Sequence, residues 1–281
     1  MASKLFLRLQ GRALALHQDC HALVSHGEAL RPREVHRLRV NMKELRALWH
    51  VVKPFTDSAA VKRANKQLAG AAKELAGSRD LHVGQKTLDT LLRKAPADIA
   101  PALHYSRERF TLSNHALNTT PTPPSNLAAI LDEDYLRWQS LDITAGKREL
   151  VLRGYGGLYR TARKQFKLAL QGLHKEDWHQ LRKWTKYLGL TLPLIHKDDR
   201  LQETSRAFAK LAEKLGELHD LDHLGDWLVT LNTPPDPHLS VAIDYIEGKA
   251  HGLRRRCERK ARGLLREPAS RAARQMTERR R

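Results

Sequence analysis

The chain has 281 residues, with 50 Lys and Arg against 31 Asp and Glu, a formal net charge of +19 and a pI near 10.2. Its 41% hydrophobic content is enough to bury one large or two medium cores, which excludes a globally disordered chain. No apolar run approaches the roughly 18 residues of a bilayer span, and Cys20 and Cys257 have no CxxC partner, so neither a membrane-spanning helix, a zinc site nor a disulfide framework is expected. An excess of cations repels itself in a compact state unless something anionic shares the space. The candidates are nucleic acid, an anionic membrane surface and a free polyanion.

Aromatics at 6%, few β-branched runs and long proline-free stretches rich in Leu, Ala, Lys, Arg, Glu and Gln make the fold class all-α. The N-terminal segment has no acid before Asp19 and is amphipathic, as transit peptides are, but it also makes a good first helix over 3–25. Without a clear leader, the reduced cytoplasm is the expected compartment. Helices follow at 32–53, with Pro32 in the first turn and Pro54 ending it, then at 57–77, 80–94 and 97–118. Gly77 marks a break before Arg79 and Asp80. "NTTPTPPSN", residues 118–126, reads as a linker, and a bridging helix follows near 127–142. The second half predicts helices near 148–172, 175–197, 199–216, 219–231 and 239–266, a loop at 232–238 and a basic tail that frays. The organisation expected is a first half over 1–118, a linker with bridging helix over 119–145, and a second half over 146–281. Each half supplies an up-and-down four-helix bundle, and a pseudo-twofold axis relates the two.

The segment "EVHRLRVNMKELRALWHVV", residues 34–52, carries two faces. Leu38, Met42, Leu45, Trp49 and Val52 form an apolar stripe, while His36, Arg39, Lys43 and Arg46 follow an i, i+3, i+7, i+10 spacing on the other side. A solvated polar face would explain one such helix. About half the chain later, His179, Arg182 and Lys186 repeat the spacing, with Lys183 beside them and Leu181, Trp184, Leu188, Leu192 and Ile195 as the apolar stripe. "LAGSRDLHV" from Leu75 and "LGELHDLDH" from Leu215 recur at a similar offset. A chance basic face has no reason to recur in the same order, so an internal duplication is expected. Asp80 and Asp220 each follow an expected helix break, where an N-cap carboxylate is stabilising, and are read as structural.

These residues resemble the CHAD domain, the conserved histidine α-helical domain. In that family the halves carry H-x-x-R-V-x-x-x-R/K-x-x-R and H-x-x-R-K-x-x-K-x-x-R, each with an "LG-x-x-R/H-D" corner one helix later. The matches are His36, Arg39, Val40, Lys43 and Arg46, then His179, Arg182, Lys183 and Lys186, with Arg79-Asp80 and His219-Asp220 at the corners. Glu44 and Gly189 stand where the family often has arginine, so the basic face should be weaker there. The resemblance covers nearly the whole chain. It implies two four-helix bundles whose basic faces meet along a central channel that binds inorganic polyphosphate, with association to polyphosphate granules a further expectation.

Elementary chemistry agrees with that ligand. Polyphosphate carries about one charge per phosphate and no bases, and cations spaced along facing helices make a field that follows a linear anion. Arginine offers planar bidentate donors, lysine a compact charge, and histidine a donor whose protonation an arriving anion raises. Arg160, Arg163 and Lys167, and Arg206 and Lys210, sit at helical spacings that could widen the face; each reads equally well as a solvated side chain. Two other readings stay open. Nucleic-acid binding is permitted by charge, though aromatics are few and no docking motif stands out. A metal phosphohydrolase is suggested by "HDLDH" at 219–223, but the matching position in the first half is Arg79, which cannot ligate a metal. Catalysis, a cofactor and a metal are therefore not expected.

Overall fold

The computed structural model describes residues 2–25, 30–75, 79–113, 124–172, 174–195 and 199–277, apart from the side chains of residues 79–82 and 200. Every regular element among these is helical. The helices are α1 (Lys4–Val24), α2 (Pro32–Val52), α3 (Ser58–Glu74), α4 (Arg79–Leu92), α5 (Ala100–Ser113), α6 (Leu127–Gln139), α7 (Lys147–Glu149), α8 (Gly156–Gln171), α9 (Lys175–Ile195), α10 (Asp199–Leu231), α11 (Pro237–Leu264) and α12 (Ala269–Gln275). A π-turn, Leu150–Tyr155, joins α7 to α8. Among the described residues, no helix is long and apolar enough to cross a membrane.

Local chemistry sets the ends. Ser3 Oγ accepts the Phe6 amide at the start of α1, and Asp57 accepts those of Ala59 and Ala60 before α3. Asp236 does the same for His238 and Leu239, with Pro237 in the first turn of α11, so that helix begins inside the stretch expected to be loop. Gly172 closes α8 in the left-handed conformation at φ 70°.

Apolar faces then bring the helices together. Trp49 of α2 stacks on Trp138 of α6 at 4.4 Å. Beneath them Asp134 accepts the indole N–H of Trp49 at 3.0 Å and lies 2.9 Å from His17 Nε2, tying α1, α2 and α6 through one fully buried carboxylate. Helix α6 packs on α1 and α3, α2 on α3 and α9, α9 on α8 and α10, and α10 on α11. Packing does not follow chain order alone: α4 and α5 lie against α10 and α11. Helix α2 also meets the π-turn at Gly154, where a Cβ would collide with the Val51 carbonyl.

Two linked local expectations fall differently. No break separates 199–216 from 219–231; α10 runs unbroken, because Leu211, Leu215, Leu218, Leu221, Leu224 and Leu228 keep one stripe buried and offset the roughly 1 kcal/mol helix cost of Gly216. Asp220 is therefore a mid-helix residue and not an N-cap. The basic tail is helical over Ala269–Gln275, held by buried Ala269, Ala272, Ala273 and Met276, and its end, where fraying is expected, lies outside the described residues. The corner glycine Gly77 and most of the 118–126 linker lie outside the described residues.

Candidate functional site

Helices α2 and α9 pack on one another with most of their apolar stripes buried, and Lys43 and Arg46 of α2 lie close enough to act on groups of α9. Two of the electrostatic interactions that span this contact bear on the motif residues. Lys43 on α2 acts on His179 of α9, and Arg46 acts on Lys183. Both α9 groups lose proton affinity: burial lowers the His179 pKa first and Arg182, Lys183 and Lys43 lower it further, against an opposing pull from Glu176. Burial followed by Arg46 lowers that of Lys183. Arg46 and Lys183 are thus like charges held near one another in a half-buried space, while His179 is driven towards its neutral form beside Lys43.

The arginine one turn beyond each motif histidine leans on the helix that follows. Arg39 donates through Nη1 to the Ala72 carbonyl, one of the last carbonyls of α3 that the helix itself leaves unpaired. Arg182 lies over Gly216 of α10, where an added Cβ would stand 3.1 Å from Nε and 3.2 Å from Nη2. Gly216 gives Arg182 its room.

Helix α10 contributes a third wall that the spacing of the cations did not reveal. The His219 ring stacks on His179 at 4.3 Å, and His223 follows one turn on at 6.1 Å. Burial, then His179, Arg182 and His223, pulls the His219 pKa down to about 4. The repeated "LHD" and "RDL" corners were the available signal, but only the packing of α9 on α10 shows that His219 meets His179. Among the described residues, no three His, Cys, Asp or Glu side chains form a group that could hold a metal ion.

At the far end of the α2 face, His50 stacks on Trp184 at 4.8 Å and Tyr187 at 5.4 Å. Lys183 Nζ lies 5.3 Å over the Trp184 ring and Arg46 Cζ 6.0 Å over that of Tyr187. Burial, then Arg46, Lys183 and Lys53, lowers the His50 pKa to about 3, so His50 is a neutral wall beside two cations.

The two positions that depart from the arginine pattern have structural explanations. Glu44 is 7% exposed and takes Arg12 of α1 bidentately at 2.6 and 2.8 Å, so its charge is matched within the α1–α2 contact. Gly189 lies where α9 crosses α10. Pro193 has no N–H for the Gly189 carbonyl, and Ser205 Oγ of α10 donates to that carbonyl at 2.8 Å instead.

The remaining expected positions are distributed over α2, α8, α9 and α10. His36 is exposed early in α2, and Lys186 is half-buried on α9. Arg206 and Lys210 are exposed on α10, and Arg160 and Lys167 on α8. Arg163 donates to the carbonyls of Leu265 at 2.9 Å and Arg266 at 3.4 Å, which places it at the C-terminal end of α11. The side chain of Arg79 lies outside the described residues.

Two solved structures share the fold at low sequence identity. PptA from Streptomyces chartreusis superposes with a TM-score of 0.63 at 15% identity, covering 93% of this chain and 99% of that one. The CHAD domain from the plant Ricinus communis gives a TM-score of 0.57 at 17% identity, covering 99% of this chain and 93% of that one. No curated protein matches the sequence. The family model for the CHAD domain matches residues 13–228, a span that contains both histidine motifs and His219. With well over half of its length matched by that model, the chain belongs to the CHAD domain family.

Proposed function

We propose that this protein binds inorganic polyphosphate along the α2–α9 interface, without catalysis. The observation that carries the reading is the gathering of cations at that interface, where Arg46 of α2 acts on Lys183 of α9 and Lys43 helps to hold His179 towards its neutral form. Helices that place cations together in a half-buried space raise their own energy unless an anion enters. A linear, flexible polyanion without bases matches a row of Arg39, Lys43, Arg46, Arg182, Lys183 and Lys186 better than a compact one does, because each phosphate meets a new cation. His36, His179 and His219 add donors whose charge follows the ligand, and Arg79, Arg160, Arg163, Lys167, Arg206 and Lys210 are candidates for outer contacts. Residence in the cytoplasm, on polyphosphate granules, would follow from such binding.

The test is alanine substitution of Arg39, Lys43, Arg182 and Lys186, singly and together, with labelled polyphosphate. Each single change should weaken binding by about 1.5 kcal/mol, the lower end for charge-assisted contacts in a partly open site, and should make log affinity less steep against log salt. Far-ultraviolet circular dichroism checks folding. A folded quadruple variant that binds like wild type with the same salt slope sinks the proposal. Polyphosphate incubated with the protein and magnesium, manganese or zinc should stay intact; phosphate release lost in His219→Ala would establish a phosphohydrolase instead.

A further inference from the structure

The last quarter of the chain carries a second cationic surface that lies beyond the family match at residues 13–228. Residues 249–277 hold ten Lys and Arg, against only Glu258 and Glu267. Glu258 pairs with Arg262 and Glu267 with Arg271, while Arg254 turns inward to Asp222. Arg255, Arg256, Arg259 and Lys260 are exposed on one side of α11, and among the described residues no ion pair engages any of them. The opposite side of the helix is buried through Ala250, Leu253, Cys257 and Ala261. The cations therefore cannot fold back onto the core.

The shape of this face narrows its partner. From Lys249 to Lys260 it is a straight convex ridge about three turns, or about 16 Å, long. Gly252 lies within it and Gly263 just beyond it, and a Cβ at either would meet nothing, so a phosphate backbone can approach the main chain closely at both points. No large exposed hydrophobic side chain lies within residues 249–277 among the described residues, which leaves nothing to insert into a bilayer. Arginine dominates, and its planar fork matches phosphate oxygens. A ridge one helix wide needs a concave anion, and the major groove of a duplex, about 12 Å across with a charge every ~1.7 Å of axis, is one.

We propose that the exposed face of α11 around Arg255, Arg256, Arg259 and Lys260 binds the phosphate backbone of double-stranded nucleic acid, separately from the α2–α9 site. Contact is to phosphates, so affinity is salt-dependent and insensitive to sequence.

The experiment compares the full chain with Arg255→Ala/Arg256→Ala/Arg259→Ala/Lys260→Ala, and with the alanine quadruple at Arg39, Lys43, Arg182 and Lys186. Fluorescence anisotropy is read with a short labelled DNA duplex and, separately, with labelled polyphosphate. The α11 variant should lose at least tenfold in duplex affinity and lower the salt slope by up to about 3.6, or about 0.9 per phosphate contact. Its polyphosphate affinity should change less than twofold, and the α2–α9 variant should show the reverse pattern. The charge-preserving Arg255→Lys/Arg256→Lys/Arg259→Lys variant should keep most of the duplex binding. The proposal is overturned if wild type binds duplex no better than the α11 variant, or if the α11 variant loses both ligands equally. It is also overturned if wild type ignores duplex but sediments with phosphatidylglycerol vesicles through α11, which would make the face a membrane surface. Failure of polyphosphate binding alone leaves the duplex comparison standing.

Discussion

His219 stands between His179 and His223 with Arg182 beside it, and burial together with these neighbours lowers its pKa to about 4. In the unfolded chain the same group titrates near 6.5. Between these values the unfolded state binds the extra proton, so stability falls as pH drops from about 6.5 towards about 4. His50, held at about 3 by burial and by Arg46, extends the same window downwards. A bound polyanion reverses the effect at the site, because it favours the protonated rings and raises their pKa. Binding of polyphosphate near pH 6 should therefore take up protons. Calorimetry in two buffers of different ionisation enthalpy measures the uptake, which His219→Ala and His179→Ala should each reduce while costing more affinity at pH 6 than at pH 8. Zero uptake in wild type at pH 6 would mean that the histidine row does not meet the anion. At this scale the sequence was legible for cations and less so for carboxylates and rings. Spacing along one helix placed Lys43 and Arg46 on a common face. The pairing of Glu44 with Arg12 depends on how α1 crosses α2, which no local pattern contains.

Helix α10 shows why element boundaries were the less legible part. Gly216 in "LGELHD" looks like a stop signal, and local propensity alone supports that reading. Its position in the packed structure explains it otherwise: the Arg182 guanidinium lies so close that a Cβ would stand 3.1 Å from Nε and crowd it. Gly189 and Pro193 do not end α9 either: the helix expected over 175–197 is found as Lys175–Ile195, with Ser205 of the neighbouring helix supplying the hydrogen bond that Pro193 cannot. A glycine kept for a close approach and one kept for a turn look identical in a single sequence. They differ in what alanine does. Gly216→Ala should leave stability unchanged or raise it by up to about 1 kcal/mol in urea denaturation, since alanine is the better helix former. It should weaken polyphosphate binding, because the new Cβ displaces the guanidinium. A variant with lowered stability and unaltered binding would mean that Gly216 serves the α9–α10 packing and not the placement of Arg182.

Across the whole molecule, a net charge of +19 and a fold whose late helices pack on early ones have one joint consequence. Helices α4 and α5 are buried against α10 and α11, and α9 against α2, so a loss of the α2–α9 contact propagates to both ends of the chain. Cationic repulsion across that contact opposes folding, and an anion that binds there stabilises every helix that depends on it. A ligand at a hundred times its Kd adds about 2.7 kcal/mol, if it binds the folded state alone. For a chain of this size that corresponds to a Tm increase on the order of 5–10 °C. Differential scanning calorimetry with long-chain polyphosphate should show this shift in a single transition at low salt. The shift should shrink steeply as salt rises, since counterion release drives the binding. It should also be largely absent in the quadruple variant at Arg39, Lys43, Arg182 and Lys186, measured against that variant's own Tm without ligand. Sulfate supplied at the same charge equivalents tests whether a polymer is needed, as it has the charge but not the length to meet successive cations. An equal Tm increase with sulfate, or an undiminished one in the quadruple variant, would place the stabilising anion elsewhere on this basic surface and end the case for the α2–α9 interface.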